Sequence, residues 1–118
     1  MTFYDLHGRA VAYLYDDGEH IYLFNGKPVA YLYDNAVYGF NGHHLGWFEN
    51  GWIRDLRGNC AFFTENSSGG PAKPAKCAKP AKCARYARPA KYAKYARHAK
   101  AAKTASWSQL SGESFFNQ

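Results

Sequence analysis

The first half of the chain contains one motif four times, and this repeat limits the folds that are available to it. The copies align on a glycine, with spacings of 18, 16 and 16 residues: Gly8, Gly26, Gly42 and Gly58. An aromatic residue follows each glycine by five positions: Tyr13, Tyr31, Trp47 and Phe63. The residue before that aromatic is small in three copies and Phe62 in the fourth. A unit this short cannot bury an apolar face alone, so the four copies must pack together.

Each copy predicts a β-hairpin centred on its glycine. The flanking segments, such as residues 21–24 and 29–33, are rich in β-branched and aromatic residues. Asn25-Gly26 and Asn41-Gly42 favour type I′ turns, in which both central residues have positive φ. We therefore predict an all-β domain over residues 1–66, with eight short strands in four radially arranged, pseudo-symmetric hairpins. The hairpins either close into a ring without free edges or form an open stack.

The four repeated aromatic residues allow two interpretations. The favoured one is that they form the shared core of the repeat. The alternative is that they wall a central pocket for a sugar, a base or a cation. A second column of tyrosines, at Tyr4, Tyr22 and Tyr38, is interrupted by Arg54 in the fourth copy. We expect Arg54 to form a solvated pair with Asp55 or Glu49, the alternative being a functional edge.

The composition changes abruptly after residue 66. Residues 1–66 have eight acidic and four basic side chains, whereas residues 67–118 have eleven basic side chains and only Glu113 as an acid. Residues 71–103 consist of eleven triplets with Ala in the middle and a base at the end. The bases are Lys73, Lys76, Lys79, Lys82, Arg85, Arg88, Lys91, Lys94, Arg97, Lys100 and Lys103.

The low complexity of residues 67–106 predicts a largely disordered tail. Its prolines exclude a continuous helix before residue 90. A helix over residues 90–105 remains possible, and a polyproline II conformation would place all eleven bases along one edge. On this interpretation residues 1–66 fold without the remainder of the chain.

The leading functional hypothesis is that the tail binds a polyanion, DNA or RNA, without sequence specificity. Its Lys and Arg side chains would neutralise phosphates, and Tyr86, Tyr92 and Tyr95 would stack on nucleobases. The alternatives are a solubilising linker and an anionic membrane surface. A different hypothesis makes residues 1–66 a small-ligand or carbohydrate-binding domain.

Residues 107–118 return to apolar side chains, with Trp107, Leu110, Phe115 and Phe116. This segment is typical of a docking peptide, which would bind either a partner protein or the β domain of its own chain.

We find no catalytic motif, and we predict a protein that is not an enzyme and needs no cofactor. The adjacent His43 and His44 would face opposite sides of a strand, so we predict no metal site. Three cysteines, two of them in the tail, do not form a disulfide framework. The absence of a signal peptide and of a long apolar run favours a cytoplasmic location.

Several motifs resemble those of the four-fold beta flower proteins, which are small bacterial proteins. The resemblance rests on the Val-Ala-Tyr-Leu-Tyr units at 11–15 and 29–33, on residues 45–48 and on residues 53–55. The Pro-Ala-Lys repeats and the aromatic end of the tail are similar to family members too. The resemblance implies a radial arrangement of four hairpins. It implies no activity and no catalytic residues.

Overall fold

The computed structural model describes all 118 residues. Eight antiparallel strands form one closed barrel in chain order: β1 (Thr2–Tyr4), β2 (Ala10–Leu14), β3 (His20–Leu23), β4 (Pro28–Tyr33), β5 (Ala36–Tyr38), β6 (His44–Glu49), β7 (Trp52–Asp55) and β8 (Cys60–Phe63). The barrel closes where Tyr4 of β1 pairs with Phe63 of β8. The prediction of four hairpins and eight strands is confirmed, and of the two predicted arrangements the chain adopts the ring.

The turns differ from the predicted type. In each of the four hairpins only the glycine has positive φ, and its N–H bonds to the carbonyl oxygen three residues earlier, as Gly26 does to Leu23 (3.0 Å). Such a three-residue loop shifts the strand register by one residue, as observed between Ile21 and Tyr22. The type I′ prediction at Asn25-Gly26 and Asn41-Gly42 is therefore wrong. Paired positive φ values occur instead between hairpins, at Asp34-Asn35 and Asn50-Gly51.

The barrel interior is filled by one inward-facing column of the repeat. Within three hairpins a large residue faces a small one across the strands, as Ile21 faces Ala30 and Val37 faces Gly46, whereas in the fourth Ile53 faces Phe62. These residues all belong to the main apolar cluster or line it, and they are fully buried. The small residues are needed because eight short strands enclose little space.

The last residues of the chain complete this core. A 3-10 helix, Glu113–Asn117, places Phe115 and Phe116 among the interior side chains. Phe115 meets Phe62 edge-on at 5.6 Å between ring centroids, and Phe116 stacks on Phe62 at 5.4 Å. A Cβ on Gly46 would lie 2.9 Å from Phe115. The two positions of this column that are not alanine, Gly46 and Phe62, thus both lie against the C-terminal phenylalanines.

The repeated aromatics point away from this interior. Ala12 and Tyr13 are neighbours on one strand, so they face opposite sides of the sheet, and Tyr13 belongs to a separate cluster with Tyr22 and Phe24. The rings nevertheless are buried, except that of Trp47, which is partly exposed. They therefore do not wall a central pocket, because the centre of the barrel is filled by other side chains.

The chain after the barrel covers these outer aromatics. Residues 71–104, which we call the collar, contain neither helix nor strand, yet they follow a defined path around the barrel. The expectation of a disordered tail is wrong, and residues 90–105 form no helix. The extended path of the collar is held by hydrogen bonds to the barrel, which composition alone could not indicate.

The only helix of the chain has five residues, too few to cross a membrane.

Candidate functional site

The collar meets each hairpin in the same way, once every nine residues. A carbonyl group of the collar lies against each repeated glycine, so that a Cβ at Gly8, Gly26, Gly42 or Gly58 would lie 2.0–2.2 Å from an oxygen. The four oxygens belong to Ala75, Ala84, Ala93 and Ala102. Three Ala-Lys triplets thus span one hairpin, and glycine is required at these turns for close approach as well as for positive φ.

Backbone hydrogen bonds fix this register. Two residues after each of these alanines, an N–H donates to the carbonyl oxygen of the repeated glycine, with N–O distances of 2.9 Å for Cys77, Tyr86 and Tyr95 and 3.2 Å for Thr104. At two hairpins the residue before the alanine donates as well, Cys83 to Phe24 (2.8 Å) and Tyr92 to Phe40 (2.9 Å). The collar is therefore bonded to the barrel through its main chain.

Three of the four prolines of the collar follow the same period. Pro71, Pro80 and Pro89 are nine residues apart, at a position where no group donates a main-chain bond to a hairpin glycine turn. Proline has no N–H to lose there and restricts the unfolded chain. His98 occupies the fourth such position, and its N–H donates to Nδ1 of His44 (3.1 Å). The fourth proline, Pro74, lies nine residues before Cys83, where a later group does donate.

Cationic side chains of the collar lie over the aromatic residues that the repeat places outside. The amino groups of Lys82, Lys91 and Lys100 lie 4.3, 4.4 and 5.3 Å from the ring centroids of Tyr13, Tyr31 and Trp47. Three residues further on, Arg85 covers Tyr15 at 4.2 Å and Lys94 covers Tyr33 at 4.3 Å. Contacts of this kind stabilise by about 0.5–1 kcal/mol each when exposed.

Acidic residues of the barrel pair with other collar bases. Glu49 lies 2.5 Å from Lys100 and 3.2 Å from Lys103; burial acts to raise the pKa of Glu49, but these two ammonium groups outweigh it and lower the pKa. Glu19 bonds to Lys91, which lowers the pKa of Glu19. Longer pairs join Lys76 to Glu65, Arg88 to Asp17 and Arg97 to Asp34.

Asp17 is bound mainly by its own turn. Burial acts to raise its pKa, yet hydrogen bonds from the N–H groups of His20 and Glu19 and from the His20 ring lower the pKa to about 2. The His20 ring nitrogen lies 2.6 Å from the carboxylate, whereas Arg88 lies 3.8 Å away.

Two of the eleven predicted bases have no acidic, aromatic or phenolic partner. Lys73 donates to the carbonyl of Ser67 (2.9 Å), and Lys79 has no hydrogen bond, ion pair or ring contact. The predicted stacking tyrosines Tyr86, Tyr92 and Tyr95 are 61–67% exposed. The structure thus brings all the predicted bases together on one ring around the barrel, with three exposed aromatic rings among them.

Arg54 joins the last residue of the collar, Thr104, to Gly69, which lies just before its first residue. Its Nη1 donates to the carbonyls of Gly58 (2.6 Å) and Thr104 (2.7 Å), and its Nη2 donates to that of Gly69 (3.4 Å). The expected solvated pair with Asp55 or Glu49 is not formed, because Arg54 is buried and its donors are used on carbonyl groups. The break in the tyrosine column therefore marks where the collar begins and ends.

The C-terminal aromatics dock on the chain's own barrel. Phe115 and Phe116 are buried, Leu110 packs against the same cluster, and Trp107 packs edge-on against Trp52 (5.5 Å). Trp107 also forms an isolated parallel β-bridge with Cys60, through main-chain hydrogen bonds that join Cys60 to Ser106 and Ser108. Of the two predicted docking targets, the structure places this segment on its own domain.

No group of three or more potential metal ligands is present, and the three cysteines are unpaired. Among the histidines of the barrel, His44 is the one that hydrogen-bonds to the collar. Its Nε2 donates to the carbonyl of Gly46 (2.9 Å), and its Nδ1 accepts from the N–H of His98. Burial lowers the pKa of His44, and the facing His98 and Arg97 lower it further.

This geometry predicts a pH dependence of stability. Because the folded pKa lies below the ordinary 6.5, the contribution of neutral His44 is present above about pH 6.5 and is lost as the pH falls below it. Urea unfolding at pH 5, 6, 7 and 8 should show this loss in the wild type. His44→Asn, which keeps an acceptor oxygen near Nδ1 and does not titrate, should show a smaller loss. Equal pH dependence of the two proteins would contradict the role of His44.

A closed barrel of four hairpins, encircled by a segment that contacts each hairpin alike, defines a protein with four-fold internal pseudo-symmetry. The family model of the 4-fold beta flower protein matches residues 1–116, and the chain belongs to this family. The match extends through the collar to Phe116, so it covers barrel and tail together. No curated protein and no solved structure matches the chain.

Proposed function

We propose that this chain is a non-enzymatic module that binds polyanions, and nucleic acid in particular, through the collar. The observation that carries the proposal is the fixed ring of eleven bases with the exposed rings of Tyr86, Tyr92 and Tyr95 among them. Residues 67–118 carry a net charge of +10, eleven bases less one acid, against −4 for residues 1–66. The phosphates of a nucleic acid supply the negative charge, and its nucleobases supply flat faces for the tyrosines.

The contacts within the chain leave much of this charge uncompensated. Five collar bases have no carboxylate within 4 Å: Lys73, Lys79, Lys82, Arg85 and Lys94. A cation over an aromatic ring keeps its full charge, so these five still attract phosphate. Four of the remaining six, Lys76, Arg88, Lys91 and Arg97, pair with carboxylates that are 32–84% exposed. Such ion pairs contribute little to stability, and a phosphate can replace them. Lys100 and Lys103 share the more buried Glu49.

A collar bound to the barrel also differs physically from the free tail expected from composition. Its main chain is already ordered, so binding costs less conformational entropy than folding a disordered segment onto a partner. None of its elements is shaped to enter a groove of the duplex and read base edges, so the contacts would be made to phosphates. The binding is therefore indifferent to sequence.

The geometry favours this function over the two alternatives. A carbohydrate or small-ligand pocket formed by the repeated aromatics would need access to rings that the collar covers and to a centre that Phe62, Phe115 and Phe116 fill. An adaptor acting through residues 107–116 would need Phe115, which is buried within its own barrel.

The salt dependence of binding tests the proposal. Binding of the full chain to a 30-nucleotide single strand should weaken linearly on a log–log plot against salt, with a slope of about −0.7 per neutralised phosphate. Lys79→Gln with Lys82→Gln should reduce that slope by about 1.4, because two contacts are lost. The measurement is fluorescence anisotropy at several salt concentrations.

The matched control removes two bases outside the collar, Lys27→Gln with Arg57→Gln, which are both exposed. It should leave the slope within experimental error. The proposal fails if the wild type shows no binding at low salt, or if the control pair weakens binding as much as the collar pair; the collar would then serve only to hold the barrel together.

A further inference from the structure

The second hairpin differs from the others in the bases that the collar presents to it. Arg85 and Arg88 of the collar, with Tyr86 between them, line a surface cleft of about 370 Å³ together with Tyr15 and Tyr22 of the barrel. Two guanidinium groups thus share one opening with three phenol rings. A guanidinium group binds phosphate in a two-pronged manner, which an ammonium group cannot do.

Most of the hydrogen-bond donors of these two arginines have no partner within the chain. Arg85 donates from Nη2 to the hydroxyl of Tyr15 (3.2 Å), and Arg88 donates from Nη1 to the hydroxyl of Tyr22 (3.1 Å). Each guanidinium has five N–H groups. The one carboxylate within 4 Å of either arginine, that of Asp17, is 3.8 Å from Arg88 and is hydrogen-bonded to His20.

The other hairpins provide an internal comparison, because residues nine apart occupy equivalent places on the collar. Opposite the third hairpin the pair is Lys94 and Arg97, and Arg97 donates to the carbonyls of Tyr33 and Asp34. Opposite the fourth, Lys103 pairs with Glu49, and the second position is Ser106. Opposite the first, both positions are lysines, Lys76 and Lys79. Only the second hairpin has two arginines with free donors.

Tyr86 adds an aromatic face at the rim of this cleft. Its side chain is 64% exposed, and its N–H is bonded to the carbonyl of Gly26 (2.9 Å), so the residue is held in place while its ring faces solvent. Stacking on such a ring requires a base that is not already stacked between neighbours in a duplex.

We propose that this cleft binds one nucleotide unit of single-stranded nucleic acid, with the phosphate held by Arg85 and Arg88 and the base stacked on Tyr86. The inference rests on the proposed function and adds to it a discrete subsite on the ring and a preference for unpaired strands. Elsewhere on the collar charge and single exposed rings contribute to the attraction, whereas only here does an exposed ring stand beside two guanidinium groups with free donors.

Two variants test the subsite without changing the net charge of the chain. Arg85→Lys with Arg88→Lys keeps both charges and removes the two-pronged donors, and Tyr86→Ala removes the ring. Each should weaken binding of a short oligothymidine strand about tenfold, since hydrogen bonds to charged groups and base stacking are of that magnitude. Binding of a duplex with equal phosphate number should change less than twofold for Tyr86→Ala.

The matched controls are the equivalent residues one hairpin further, Arg97→Lys and Tyr95→Ala. Arg97 already donates to the carbonyls of Tyr33 and Asp34, and the ring of Tyr95 lies 4.9 Å from that of His43. Each control should therefore weaken binding of the oligothymidine strand clearly less than its counterpart in the cleft, by about threefold at most. Thermal unfolding of all four variants verifies that the collar stays in place. Suppose that subsite and control variants weaken binding of the single strand equally while the wild type still binds in a salt-dependent way. The subsite is then refuted and the general function stands. If the wild type binds neither strand at low salt, the proposed function itself is refuted.

Discussion

Phe115→Ala should lower the free energy of unfolding by about 3–5 kcal/mol, because the side chain is fully buried in the barrel interior. Its ring packs against Phe62 and Phe116 and covers Gly46, where no other side chain fills the space. The loss should appear as a lower midpoint of urea unfolding with an unchanged slope.

The same reasoning leads to a prediction opposite to the expectation that residues 1–66 fold alone. A chain ending at residue 66 lacks Phe115 and Phe116 and leaves the outer aromatics, such as Tyr13 and Tyr31, without the collar that covers them. We expect its thermal melt to be non-cooperative. The control is Tyr92→Ala, which removes an aromatic ring from the C-terminal half at a position 67% exposed and should leave stability within about 0.5 kcal/mol. A Phe115→Ala protein as stable as the Tyr92→Ala protein would contradict this account.

The barrel could be predicted because its signal is local and repeated. Glycines at spacings of 18, 16 and 16 residues, with aromatic residues at a fixed distance, identify four equal units, and equal units that cannot fold singly must meet in a closed or stacked array. The turn type was missed because Asn-Gly indicates two turns that share a left-handed glycine. At Asn25 the side chain accepts a bond from the N–H of Lys27 (3.0 Å), which stabilises the three-residue loop instead.

The collar could not be predicted from composition, although its register was present in the sequence. Pro71, Pro80 and Pro89 repeat every nine residues, which is the period at which the alanine carbonyls meet the glycine turns. A triplet repeat rich in Ala and Lys resembles a disordered segment because it offers little to bury. Here contacts with the barrel stabilise the ordered collar, since the barrel supplies tyrosine rings, carboxylates and turn carbonyls. The sequence of the tail alone does not show these groups.

Arg54 was assigned the wrong partners for a related reason. A charged residue in a tyrosine column predicts a nearby acid, and Asp55 and Glu49 are close in sequence. Two of its actual partners are the carbonyls of Thr104, the last residue of the collar, and of Gly69, just before the first. These two carbonyl groups come together at the fourth hairpin only because the chain after the barrel closes a ring around all four hairpins.

Gly26→Ala should loosen the collar at the second hairpin, whereas Gly18→Ala should not. Both glycines have positive φ, +97° and +72°, and both close a turn by a main-chain bond to the residue three before. A Cβ at Gly18 meets nothing within 4 Å, but a Cβ at Gly26 would lie 2.0 Å from the carbonyl oxygen of Ala84. The strained φ should cost about 1–2 kcal/mol in either variant.

The difference between the two variants therefore measures the attachment of the collar. Displacing the collar at Gly26 breaks the bonds from Cys83 to Phe24 and from Tyr86 to Gly26 and weakens the contact of Lys82 with Tyr13. These losses should add about 2–4 kcal/mol to the destabilisation of Gly26→Ala. Trypsin should then cleave after Lys82 and Arg85 faster in Gly26→Ala than in Gly18→Ala, because the backbone there is released. Equal stabilities and equal cleavage rates in the two variants would mean that the collar does not depend on close contact with the glycine turn.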